Sequence, residues 1–223
     1  MYFCSMNKES LIRIILLFAG LVVAHLGVSF FLLADLGSDP FNVMIQGLSR
    51  TLGNLLGWKV ISHGNTHVAV SFLIIIVLLF VDRSYIRIGT LICMFCGGPI
   101  IDFFNMFLGG LVSAESHLLI RVLFNALGCV ILACGMSVVI KSEAGTGPND
   151  LVGVVISDKL HRKFSVVRMV VDACFLVCGW LLGGPVGLGT VICLFLVGPV
   201  AGICLPRSEK LVAGILKSAG LRG

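Results

Sequence analysis

The run from Ile14 to Ala34 holds 21 residues without one Asp, Glu, Lys or Arg. Crossing about 30 Å of hydrocarbon takes roughly 20 helical residues, and further apolar runs approach that length. Charged residues are 12% of the chain, apolar residues are 58%, and the mean hydropathy is +1.10. A soluble domain needs far more charge to cover its surface. These features predict an all-α polytopic membrane protein with six spans, at roughly 11–35, 66–82, 88–109, 117–140, 165–183 and 187–205. The first run is longer than a signal-peptide core and is expected to be retained as a span.

The sixteen Lys and Arg separate by loop. Lys8, Arg13, Arg83, Arg87, Lys141, Lys159, Arg162, Lys163, Arg168, Arg207, Lys210, Lys217 and Arg222 fall on one side, and Arg50, Lys59 and Arg121 on the other. By the positive-inside rule both termini are expected in the cytoplasm, with the chain in the inner (cell) membrane. The net charge of +5 then reflects topology, and no nucleic-acid partner is implied. Most of the cysteines fall in or beside apolar runs, where a thiol behaves as a small apolar group. "CMFC" at Cys93 and Cys96 lacks a second ligand pair. His63 and His67, with Asn65 between, lie near the outer end of the second span, where a metal site is conceivable but simple solvation is expected, so neither metal nor cofactor is expected.

Two short helices are expected between spans, at 39–53 and 148–161. Asp39 can cap the first, with Pro40 at the first helical position; Pro148 opens the second. Phe41, Met44, Ile45, Leu48 and Leu52 share one face, opposite Asn42, Gln46, Ser49 and Gly53. The residues 206–223 form a tail, in which Ser208 to Ala219 suit an amphipathic helix on the membrane surface.

A shift of 108 residues lays "LIR" at Leu11–Arg13 on "LIR" at Leu119–Arg121. The same shift lays Gly20, Gly27, Ser29, Gly37 and Pro40 on Gly128, Gly135, Ser137, Gly145 and Pro148. Further on, a shift of 100 lays "GTLICMFCGGP" on "GTVICLFLVGP", the eight-residue difference falling near "GWKVISHGN". The chain therefore reads as one membrane domain of two repeats, 11–110 and 117–205. Three spans per repeat make the second enter from the opposite side, the arrangement of many transporters, whose short-helix N-termini meet at a central site. Re-entry into the membrane and a flat surface position are both open to helices of this length.

The central-site reading selects Ser38, Asp39 and Asn42 from one repeat and Thr146, Asn149 and Asp150 from the other as solute-binding residues. Arg168 and Asp172, four apart on one helix face, serve either as a gate or as a structural ion pair. Gly98–Pro99 and Gly198–Pro199 are matched hinge candidates. His25 is expected to be a hydrogen-bonded packing residue, and Asn125 to bond to a neighbouring helix. Asp102 and Asn105 are expected at the wet end of their span.

At "LGSDPFNVM", "GTGPNDLV" and "RMVVDACFLVCGWLLGGPVGLGTVICLFLVGP" the chain resembles the YczE/YyaS/YitT family of small bacterial integral membrane proteins. The resemblance covers roughly residues 12 to 205. Phe41 stands where that family favours Trp, and Asp172 where it favours Glu. The resemblance implies the membrane location and fold and names no substrate.

No HExxH, GxSxG or Walker-type motif is present, so no catalytic residue and no enzyme is expected. The function expected is passage of a small solute across the membrane without an ATPase in this chain. The alternative is a non-transporting partner that anchors or assists another protein through its basic face. A bundle this small also suits a homodimer.

Overall fold

The computed structural model describes residues 8–56, 63–111 and 116–221. Lys59, Arg222 and most of the "GWKVISHGN" loop lie outside the described residues. Six helices are long and apolar enough to cross a membrane: α1 (Lys8–Leu33), α3 (His63–Val81), α4 (Ile88–Leu108), α5 (Leu118–Lys141), α7 (Phe164–Leu181) and α8 (Leu188–Ser218). Two shorter helices, α2 (Pro40–Leu56) and α6 (Pro148–Leu160), follow α1 and α5, and a 3-10 turn covers Arg83–Tyr85. No strand occurs among the described residues. Phe80, Met106 and Leu181 are exposed, as residues facing lipid chains must be. This is a multi-pass, all-helical membrane protein.

Glycines set the centre of the bundle. Helices α1 and α5 cross where Gly20 meets Gly135 and Gly27 meets Gly128. A Cβ on Gly27 would fall on the Leu132 backbone nitrogen, and one on Gly135 on that of Ala24. Apolar side chains gain little from meeting each other instead of lipid, so backbone approach of this kind is what holds membrane helices together. Around this pair, α4 packs on α1 and α8 on α5. Ser29 and Ser137 are fully buried, and the Ser137 hydroxyl donates to the Ala133 carbonyl at 2.7 Å.

The two ends of this pair are tied by arginines. Arg13 of α1 donates to the Ser142 carbonyl at 3.1 Å and to Glu143 at 3.0 Å, just past the end of α5. Arg121 of α5 donates to the carbonyls of Ala34 and Asp35, just past the end of α1. Both chain reversals carry a left-handed acidic residue, Asp35 (φ 48°) and Glu143 (φ 55°), and a glycine two residues later, Gly37 (φ 116°) and Gly145 (φ 133°). Each reversal then hydrogen-bonds to a distant helix start. Gly189 N–H donates to the Leu36 carbonyl at 2.7 Å, and Gly89 N–H to the Ala144 carbonyl at 2.9 Å.

Helix α8 departs from expectation. It does not stop near 205 but runs on to Ser218 through Pro199 and Pro206. Thirty-one residues make about 46 Å, more than the hydrocarbon thickness, so α8 is longer than one crossing needs. Val212 and Leu216 there bury against Leu16, and Lys8 donates to the Ala219 carbonyl at 3.0 Å. The amphipathic tail is thus a helical extension packed on α1. Val212 and Leu216 are covered by protein while Leu211 and Ile215 stay exposed, and Lys8 and Ala219 meet at one end of the molecule.

Candidate functional site

Both short helices begin inside the bundle. From Pro40 to Ser49 no residue of α2 is exposed, and from Pro148 to Ser157 none of α6 is. A helix lying flat on a membrane would expose its polar face, whereas every residue of these stretches is buried or half-buried. Close approach again explains it: a Cβ on Gly179 of α7 would fall on the Met44 backbone, and one on Gly47 on the Gly179 carbonyl. Further along, Thr51 donates to the Leu182 carbonyl at 2.9 Å, which pins α2 to the end of α7.

The N-termini of α2 and α6 line one cavity of about 590 Å³. Ser38, Asp39 and Asn42 reach it from one side, and Asn149, Asp150, Arg168 and Asp172 from the other. Seven of the eight binding and gate residues selected from the sequence therefore share one cavity. Thr146 does not line it. It is buried beside α6, and its hydroxyl has no hydrogen-bond partner among the described residues. Among the hinge residues, Gly98 and Pro99 line the cavity and Gly198 and Pro199 do not.

The charges are organised around Arg168. Its Nε donates to Asp172 Oδ2 at 2.8 Å, four residues along α7. Its Nη1 donates to Asp150 Oδ1 at 2.5 Å, at the start of α6. One guanidinium thus ties α6 to α7 and holds two carboxylates. The planar fork suits this double engagement, which a lysine would not reproduce. Arg168 is 5% and Asp172 2% exposed, so Arg168 is not a surface charge of the loop with which it was counted. Removing it from the thirteen leaves twelve basic residues facing the three of the other side. Asp172 Oδ1 has no hydrogen-bond partner among the described residues.

Asp39 is occupied differently. Its Oδ1 accepts from the Asn42 backbone N–H at 3.2 Å, and its Oδ2 from the Asn42 side chain at 2.5 Å, the N-cap expected of an Asp before Pro40. The Gln46 amide donates to the Ser38 hydroxyl at 3.1 Å, folding the polar face of α2 back on its own start. Thr190 of α8 donates to the Ser38 carbonyl at 2.7 Å.

The remaining polar residues are placed as follows. His63 and His67 sit on the first turns of α3 and line the cavity, with the His67 ring edge-on to Phe41 at 5.4 Å. Both rings are therefore part of the cavity wall at the start of the second span, not simply solvated as expected. His25 also lines the cavity, and its Nδ1 hydrogen-bonds to the Leu21 carbonyl at 2.8 Å. Asn125 makes no interhelical bond among the described residues; its amide nitrogen is unpaired and lies where a Cβ on Gly189 would sit. Asp102 is exposed and away from the cavity. No cluster of three or more His, Cys, Asp or Glu poised for a metal occurs among the described residues.

A family model described as a family of unknown function, DUF6198, matches residues 11–206. The chain belongs to that family. It is 29% identical over 209 residues to the uncharacterized membrane protein YczE of Bacillus subtilis, covering 93% of this chain and 92% of the relative. It is 26% identical over 192 residues to the uncharacterized protein YyaS of the same organism, covering 86% and 91%. An uncharacterized protein of Haemophilus influenzae is 29% identical over 200 residues, covering 88% and 84%. No solved structure matches the chain. The DUF6198 match ends at residue 206, so it includes all the cavity-lining residues and stops before the last turns of α8.

Proposed function

We propose that this DUF6198 protein is a small-solute transporter of two inverted three-span repeats, with no ATPase and no enzymatic chemistry of its own. The observation that carries this reading is the cavity shared by the N-termini of two enclosed short helices. Broken or short helices meeting at a central site are how inverted-repeat transporters hold a solute.

The repeat reading draws support from contacts that come in pairs 108 residues apart. Arg13 meets Ser142 and Glu143, and Arg121 meets Ala34 and Asp35. Gly189 bonds to Leu36, and Gly89 to Ala144, with the shift of 100 applying to the second half of each repeat. Such reciprocity follows if the halves are related by a two-fold axis in the membrane plane.

The departures from symmetry fit one state of an alternating-access cycle. Helix α7 packs along α8, whereas α3 and α4 barely touch. Gly198 lies against Met169 and Ser165 of α7, while Gly98 has open space where a Cβ would point. The cavity lining includes the first half of α3, from His63 to Ser71. With the termini in the cytoplasm of a cell membrane, as the basic residues suggest, the protein is closed inward at Arg168 and open outward between α3 and α4. The reverse state closes α3 on α4 and parts α7 from α8.

Cysteine accessibility tests this reading. Single cysteines along 38–50 and 146–158, in a background without native cysteines, are labelled with an impermeant maleimide from each side of the membrane. Transport predicts that Asn42 and Asn149 positions react from both sides. Labelling of each helix from its own side alone contradicts it and favours a non-transporting membrane partner.

A further inference from the structure

The cavity joins two features of opposite electrostatic sense. Helix N-termini attract anions, and three carboxylates attract cations. The positions of the hydrogen bonds decide between them.

The start of α2 is already occupied by its own chain. Asp39 accepts the Asn42 N–H with a side-chain oxygen, and its carbonyl accepts the Val43 N–H at 3.0 Å. The start of α6 carries Asp150, whose Oδ1 takes hydrogen bonds from Asn149 Nδ2 at 3.1 Å and from Arg168. Each N-terminus therefore brings its own anion. A helix end is equivalent to about half a positive charge, so two of them with Arg168 supply about two. Asp39, Asp150 and Asp172 supply three negative charges, with His25, His63 and His67 counted neutral. The balance is an uncompensated negative charge at the inner end of the cavity.

That charge has an address. The Asp172 side chain is 3% exposed, and Arg168 engages only its Oδ2. Oδ1 is buried with no hydrogen-bond partner among the described residues. A buried carboxylate oxygen without a donor is costly, and the missing donor is the function a bound ligand supplies. Asp172 lines the cavity, whose walls are largely apolar, with Phe31, Phe41, Leu132 and Met136 among them. A volume of about 590 Å³ falls in the range of small-molecule pockets.

We infer that the cavity takes a small organic cation, a protonated amine on an apolar body, whose ammonium donates to Asp172 Oδ1 with Asp39 as the second carboxylate. This rests on the reading of the cavity as a solute site. The apolar walls engage the body of the solute, and Arg168 holds Asp172 in place without saturating it.

Isothermal titration calorimetry on the purified full chain in detergent tests the inference. The probes are methylamine, phenethylamine and 1,4-diaminobutane hydrochlorides, with 2-phenylethanol, sodium phenylacetate and sodium chloride as controls. At least one amine binds saturably, the controls do not, and Asp172→Asn weakens amine binding by about tenfold or more. Asp39→Asn weakens it as well and carries the test if Asp172→Asn does not fold. The inference is overturned if no amine binds, if phenylacetate, the alcohol or sodium binds as tightly, or if amine binding survives the Asn variants. Binding is read here without flux. Its failure leaves two-sided cysteine accessibility standing, and loss of that accessibility leaves an amine-binding cavity.

Discussion

Gly198 of α8 lies against Met169 of α7 so closely that a Cβ would collide with the Met169 side chain. One hundred residues earlier, Gly98 of α4 has no neighbouring atom within 4 Å of the same point. If the halves exchange packing, Gly98 is the seat that α3 takes when the opposite side opens.

The consequence for substitutions is unequal. Gly198→Ala costs about 1–3 kcal/mol through overpacking in this state, seen as a lower Tm. Gly98→Ala leaves the Tm within about 1 kcal/mol of the original in equivalent free energy, because the added methyl meets nothing here. A bulkier Gly98→Leu holds the protein in the state described and removes labelling from the terminal side.

The α1–α5 crossing tolerates no side chain at all. Gly27→Ala and Gly135→Ala each place a Cβ on partner backbone atoms, which cannot rotate away. Each is expected to cost at least about 1–3 kcal/mol. Thermal unfolding of the purified variants, beside the open-space control Gly214→Ala, measures the difference.

Arg168→Ala strands Asp172 as a buried carboxylate and leaves the half-buried Asp150 without its cation. Breaking a buried pair from one side costs about 3–5 kcal/mol, since the remaining charge loses its partner. The double variant Arg168→Ala with Asp172→Asn recovers part of that loss, and adding Asp150→Asn recovers more. Arg168→Lys recovers less than wild type because one ammonium cannot bridge both acids in the same geometry. A thermal series over these variants checks the order.

Cys134 of α5 and Cys204 of α8 have their sulfur atoms 2.9 Å apart. Mild oxidation with copper phenanthroline is expected to join them, and peptide mass spectrometry reads the link. Cys134→Ser abolishes it. Absence of the link in the oxidised wild type would contradict the α5–α8 packing.

The spans were legible because hydrocarbon demands long uncharged runs, and, the end of α8 apart, their drawn limits fall within three residues of the helix ends. The short helices were legible from Asp39–Pro40 and Pro148, whose chemistry starts helices wherever they lie. Their enclosure was not, since the close approach of Gly47 and Gly179 joins residues far apart in sequence. The same distance hid Arg168–Asp150: the sequence placed Arg168 beside Asp172 on one helix face, but only the docking of α6 on α7 brings in Asp150. The end drawn for α8 near 205 marks where the apolar run stops, before Pro206 and Arg207. A proline removes one helical hydrogen bond, which the burial of Val212 and Leu216 on α1 offsets.

The exchange of packing itself is tested most directly by paired cysteines in native membranes. One pair replaces Met169 and Gly198, the other Ala69 and Gly98, each in a background free of native cysteines. The account predicts that both pairs form disulfides, and that locking either one restricts a labelled Asn42→Cys to one side of the membrane, opposite for the two locks. If the 69–98 pair never links under any condition while the 169–198 pair links fully, the second state does not exist and the transporter account fails.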